Sequence, residues 1–198
     1  MKPTSKEILK MLNDARGKTP DDGWIIHSIA VGEVAYRLAS ALKEKGFDLD
    51  PEKAKTLGLL HDIGKITGQF SGHVMKGYSY MKEHGYDEEY CNIALTHSYL
   101  NNDYLCTAAG IPDDIPFRTE FVKNHKYTLH DKIVNLGDLM CARKIYTIDK
   151  RLVELVIRRG AYSNTQYHMT ETYKLKEYFD NLLGYDLYDL FPEVKENL

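Results

Sequence analysis

The stretch Leu57-Gly58-Leu59-Leu60-His61-Asp62-Ile63-Gly64-Lys65 holds a contradiction that any fold of this chain must resolve. Ala54, Leu57, Leu59, Leu60 and Ile63 fall on almost every side of a helix, so the segment is expected to be buried all round. A carboxylate and an imidazole nonetheless stand side by side in it. Carboxylates are almost never fully buried without a partner. Either a basic side chain such as Lys65 neutralises Asp62, or a metal ion does.

Helix signals run the length of the 198 residues. Thr4 with Glu7 forms a capping box before Ile8, Leu9 and Leu12. Thr19-Pro20-Asp21-Asp22 reads as an N-cap, a first-turn proline and two acids, opening a helix through Ile25, Ile29, Val34, Leu38 and Leu42 that stops near Gly46. Asp50-Pro51-Glu52 repeats the signal for the His61-Asp62 helix, which Gly64 is placed to end. A short helix is expected around Val74 to His84, and Asp87 caps another through Tyr90, Ile93, Ala94 and Leu95. Thr128 with Asp131 caps the apolar helix Ile133 to Ala142. Asp149 starts a helix to Arg159, and Thr170 to Leu183 forms the last long one, closed by Gly184.

The segment from Asn101 to Tyr127 is the least regular and reads as a loop or lid with room for a short helix. The polar, Tyr-rich tail from Tyr185 is expected on the surface. No strand period persists. The expected fold is all-α, one domain over 1–198, with a metal-binding core at about 20–145 and the C-terminal helices of 149–198 packed on it.

Composition narrows the partners. The net charge of −3 gives no bulk basic field for a nucleic-acid polymer. No apolar run approaches the roughly 18 residues of a membrane span, and nothing apolar follows the charged N-terminus as in a signal peptide. Cys91, Cys106 and Cys141 are odd in number and widely spaced, which reads as reduced core thiols of a cytoplasmic protein.

Three further segments repeat the opening contradiction. His27 interrupts Trp24-Ile25-Ile26 and Ile29-Ala30-Val31. His97 follows Asn92-Ile93-Ala94-Leu95, and Asp138 is the only charge between Ile133 and Ala142. A single such histidine is ordinarily a satisfied core residue. Asp62 and Asp138, however, cannot sit close together ionised without a cation between them. Imidazole and carboxylate donors without a thiolate suit Fe, Mn, Co, Ni or Zn. Gly58 and Gly64 flank His61 at one turn and either leave room for an ion and substrate or permit close helix packing.

In its His-Asp-Ile-Gly form the stretch resembles the signature of the HD superfamily of metal-dependent phosphohydrolases. The resemblance implies that His27, His61, Asp62 and Asp138 bind one ion. It further implies that His73 and His97, placed between the His-Asp pair and Asp138 as in dinuclear members, hold a second ion, with Asp62 bridging. Order and spacing are most similar to bacterial proteins of the symmetrical diadenosine tetraphosphatase type. The chain departs from that group after Asp138, where it reads Leu139-Met140-Cys141-Ala142. The Gly-Tyr-Pro motif of cyclic-di-guanylate phosphodiesterases is absent, since Gly77-Tyr78-Ser79 and Gly85-Tyr86-Asp87 lack the proline.

The implied activity is hydrolysis of a phosphoester or phosphoanhydride in a nucleotide-like small molecule by water activated between two divalent transition-metal ions. Asp62 and Lys65 are the candidate catalytic residues, and Lys65 and Arg143 the candidate phosphate contacts. The second His-Asp pair, His130-Asp131, is assigned to a helix N-terminus. His84, His125 and His168 are read as surface or loop residues. Alternatives are a non-catalytic nucleotide-binding module and a diiron oxygenase of the same fold; a homodimer is possible.

Overall fold

Caps read from the sequence open three of the helices. Thr4 and Glu7 exchange the reciprocal bonds of a capping box at the start of α1 (Ser5–Asp14). Asp50 accepts from the backbone N–H groups of Glu52 and Lys53 at α3 (Pro51–Leu60). A second capping box, Thr128 with Asp131, opens α7 (Leu129–Met140). Between these lie α2 (Gly23–Glu44), a 3-10 turn Ile63–Thr67, α4 (His73–Glu83), α5 (Glu88–Thr96) and α6 (Pro116–Asn124). Two helices follow, α8 (Ile148–Arg159) and α9 (Thr165–Leu183), with 3-10 turns at Leu187–Leu190 and Pro192–Lys195.

The computed structural model describes residues 1–108 and 116–197. Among them there is no strand, only an isolated bridge between Cys141 and Ile145, so the architecture is all-α. The part of the expected loop or lid at 109–115 lies outside the described residues. The rest of that segment includes α6.

The main hydrophobic cluster reaches from Ile8 to Val194 and is centred on α2, which buries Trp24, Ile25, Val31, Val34, Ala35, Leu38, Ala39 and Leu42. By length and composition α2 is apolar enough to cross a membrane, contrary to the expectation that no segment would be. Helices α1, α3, α7 and α9 all pack against it, which accounts for its apolar character.

Several boundaries differ from those expected. Helix α2 starts at Gly23, because Asp22 turns back to accept from the Gly17 N–H and Thr19 receives the Trp24 indole N–H. Helix α9 starts at Thr165, five residues before the expected Thr170, whose hydroxyl bonds to the Gln166 carbonyl inside the helix. The tail is not a surface appendage. Leu187, Phe191 and Val194 are buried in the main cluster, and Arg37 of α2 lies over the Phe191 ring while pairing with Glu193. His168 is likewise buried rather than exposed.

Glycine contacts set how closely the helices approach. A Cβ on Gly58 of α3 would lie 2.8 Å from the Gly32 Cα of α2, so the two backbones touch. The Ile63–Thr67 turn meets α4 the same way, since a Cβ on Gly64 would lie 2.0 Å from the His73 carbonyl oxygen. Gly64 therefore does not end α3, which stops at Leu60; it seats the next turn. Close packing is the role of both glycines.

This predicts the sign of one substitution. Alanine exceeds glycine in helix propensity by about 1 kcal/mol, but the methyl at 58 meets backbone that cannot move aside. Gly58→Ala is expected to cost about 1–3 kcal/mol net, seen as a lowered Tm in thermal unfolding. An unchanged or raised Tm would mean that α2 and α3 are not held in backbone contact.

Candidate metal centre

The His61-Asp62 pair sits where α3 ends. His61 retains helical geometry as the C-cap, whereas Asp62 (φ −105°, ψ 12°) turns off the helix axis into the following 3-10 turn. The break resolves the opening contradiction: Leu57, Leu59 and Leu60 enter the core, while the next two side chains turn into a polar cluster. The Gly32–Gly58 contact brings α2 alongside, so the His27 and His61 rings stand edge to face at 5.0 Å between centroids. His97, the C-cap of α5, meets His61 in the same manner at 5.0 Å, and His73 at the start of α4 lies 5.9 Å from His97.

Six ligand-type side chains thus converge in two groups: His27, His61 and Asp138, and Asp62, His73 and His97. In the first, His27 Nε2 lies 2.9 Å from Asp138 Oδ1 and 3.1 Å from His61 Nε2. In the second, Asp62 Oδ1 lies 3.2 Å from His73 Nε2 and 3.8 Å from His97 Nε2. The other oxygen of Asp62 faces the first group, 3.5 Å from His61 Nε2 and 3.8 Å from His27 Nε2. Asp62 thus groups with His73 and His97 through one oxygen and turns the other toward His27 and His61, the two-sided position expected of a bridging carboxylate.

The histidine tautomers follow from the backbone. Nδ1 of His61 lies 2.6 Å from the Gly58 carbonyl, that of His73 3.0 Å from Phe70 O, and that of His97 3.0 Å from Ala94 O. A carbonyl only accepts, so each Nδ1 carries the proton and each Nε2 presents a lone pair to the centre. This is the outer hydrogen bonding that orients imidazoles toward a metal. Adjacent ligand atoms around an ion with bonds of about 2.1 Å lie about 3 Å apart, which the shortest of these separations match. Burial pushes His61 below its ordinary value and His97 down to about 3, so both are neutral at pH 7. The donor set fits one or two divalent ions.

The carboxylates remain charged. Burial alone raises Asp62, but the Lys65 ammonium together with His61 and His73 holds it well below the usual carboxylate range. At Asp138 the same burial penalty is outweighed chiefly by the hydrogen bond from His27, with the surrounding imidazoles adding to it. Asp138 is less enclosed than its apolar helix suggested. It is 24% exposed against 4% for Asp62, and with His73 and Lys65 it forms the open side of the cluster.

Lys65 ion-pairs with Asp62. Arg143 is exposed and pairs with Asp21 at 3.6 Å, not with either carboxylate of the centre. Asp131 caps α7 and His130 donates toward the Asp50 carbonyl, as a helix N-terminus implies. His84 stacks on Tyr80 and His125 on Phe121. A supporting residue that sequence reasoning missed is Asn135. Its buried amide donates to the carbonyls of Thr96 and His97, at 3.0 and 2.6 Å, and fixes the end of α5 that carries His97. Its polar side chain inside the apolar run Ile133-Val134-Leu136 was the available signal.

This fold and site define a class. The HD domain profile matches residues 24–142, more than half of the chain, and the chain belongs to the HD domain family. It is 42% identical over 71 residues to an uncharacterized protein of Methanocaldococcus jannaschii, covering 36% of this chain and 42% of that one. It is 35% identical over 94 residues to ribonuclease Y of Fervidobacterium nodosum (46% and 17%) and 26% identical over 139 residues to ribonuclease Y of Mesoplasma florum (68% and 26%). The match spans less than half the length of each of these relatives. No solved structure matches the chain.

Asp62→Ala and Asp138→Ala are expected to lose bound metal, whereas His130→Ala keeps it, as read by elemental analysis of the purified proteins. Chelation is expected to lower the Tm of the wild type, because an ion bound only by the folded state stabilises it. Metal lost from His130→Ala and retained by Asp62→Ala would reverse the assignment of the two His-Asp pairs.

Proposed function

We propose that this protein is a metal-dependent phosphohydrolase in which His27, His61 and Asp138 would hold one divalent ion and His73 and His97 a second, with Asp62 serving both groups. The observation that carries the reading is the Asp62 carboxylate, with Oδ1 toward His73 and His97 and Oδ2 toward His61 and His27. Divalent ions held there would polarise a phosphoryl oxygen and lower the pKa of water. The chain's own part is to hold six donors on helices fixed by backbone contact and to leave the side formed by Asp138, His73 and Lys65 open to substrate. Lys65, paired with Asp62 at that opening, would meet a phosphate oxygen of the substrate. Arg143, committed to Asp21 on the surface, supports that role less well.

Covalent catalysis has little support. The three cysteines are buried, and burial raises each thiol, Cys106 to about 12. None is a thiolate at neutral pH.

The substrate we infer is a nucleotide-like phosphoester or phosphoanhydride. Dinucleoside polyphosphates come first by the order of the six ligands, although the residues after Asp138 depart from that group and none of the relatives above carries the activity in its name. A second reading, a phosphodiester in RNA, is favoured by the similarity to two proteins named ribonuclease Y. A small nucleotide is preferred on the net charge of −3.

The test is turnover in ¹⁸O-water by the metal-loaded protein, with mononucleotides, dinucleoside polyphosphates, a generic phosphodiester and a short RNA. One label is expected in the product phosphoryl group, and Lys65→Ala is expected to raise KM about tenfold or more through loss of a charged contact. A trapped phosphorylated side chain would exclude direct attack by water. Substrate-dependent oxygen consumption without phosphate release would point to the oxygenase alternative.

A further inference from the structure

A cavity lies next to the end of α5 that carries His97. It measures about 330 Å³ and is walled by the turn after α5 (Leu100, Asn101, Asn102), by Tyr127, by Lys132 and Asn135 of α7, and by one face of α9. That face contributes Glu171, Lys174, Leu175 and Tyr178. Its volume is near the low end for small-molecule sites, about 300–1,000 Å³.

The wall is built with some strain. Asn101 and Asn102 are the only non-glycine residues among those described with left-handed backbone (φ 58° and 55°). Such residues persist only where surroundings enforce them. Here the Asn102 amide is tied to the Val122 and His125 carbonyls, and the Asn101 amide to Glu171 at 2.6 Å. Glu171 also takes Lys174 at 2.8 Å. Its charge is therefore used within the wall.

Lys132 is different. It is half-buried, has no carboxylate partner among the described residues, and rests its ammonium 4.5 Å from the centre of the Tyr178 ring. An unpaired lysine in a cavity with two lysines and one glutamate favours an anion. Leu100, Leu175 and the rings of Tyr127 and Tyr178 favour a flat apolar body. Asn101 and Asn135 add polar groups to orient it.

We propose that this cavity is a second ligand site, taking one small organic anion with a planar ring, of nucleoside monophosphate size, with its charge on Lys132. Asn135 places the site one residue from the metal centre: it lines the cavity, holds the His97 carbonyl, and precedes Asp138 by one helical turn. The proposal stands whatever bond the metal centre cleaves.

The experiment is calorimetric titration of AMP into the full chain carrying Asp62→Ala, with chelator present, so that binding at the metal centre is removed. AMP is expected to bind, and adenosine (ring without charge) and inorganic phosphate (charge without ring) each to bind at least about tenfold more weakly. Lys132→Gln added to Asp62→Ala is expected to weaken AMP about tenfold, and Lys132→Arg to restore it, which separates lost charge from lost folding. Absence of AMP binding to the chelated Asp62→Ala protein, or equal affinity in Lys132→Gln and Lys132, would overturn the proposal.

Discussion

The closeness of backbone to backbone at a few glycines is the constraint on which the rest depends. Imidazole and carboxylate arms are short, so their donor atoms meet at about 3 Å only if the helices behind them nearly touch. Gly32 against Gly58 does this for His27 and His61. Gly64 against the His73 carbonyl does it for Asp62 and His73. Gly137 lies against Val31 one residue before Asp138, with its Cβ position 3.2 Å from a Val31 methyl, and brings α7 to the same point. A side chain at any of these places would separate the helices that carry the donors.

Electrostatics sets what such a cage can hold. Two ionised carboxylates and four imidazoles, three of them with protons fixed on Nδ1, crowd lone pairs into one small volume. Lys65 offsets one negative charge, and the other faces His27 and His61, the latter driven toward neutrality by burial. Such a cluster gains from a cation at its centre. The cost of gathering these groups makes sense as the cost of keeping a binding site ready.

The sequence disclosed the helices because caps and apolar periods are local signals. Thr4 with Glu7, Asp50-Pro51 and Thr128 with Asp131 act where they were read. The five candidate ligands in apolar surroundings, His27, His61, Asp62, His97 and Asp138, were legible for a similar reason, since a lone polar group in a buried stretch must find a partner. His73 was visible only through resemblance, as it starts a half-buried helix after Gly72. What stayed hidden was non-local. The alternatives for Gly58 and Gly64 could be separated only by knowing which helix lay opposite. The burial of Leu187, Phe191 and Val194 in the main cluster, beside the Arg37–Glu193 pair, joins the tail to α2 across 156 residues of sequence. Asn135 could not be recognised as the support of His97 until α5 and α7 were seen together.

The most direct measurement of the central claim is anomalous scattering from crystals of the metal-loaded protein. Two peaks are expected about 3.5–4 Å apart, one within reach of His27, His61 and Asp138 and the other of His73 and His97, with Asp62 touching both. A single fully occupied peak with His73 turned to solvent would contradict the two-ion centre. Absence of any peak among the six side chains would contradict the metal centre itself.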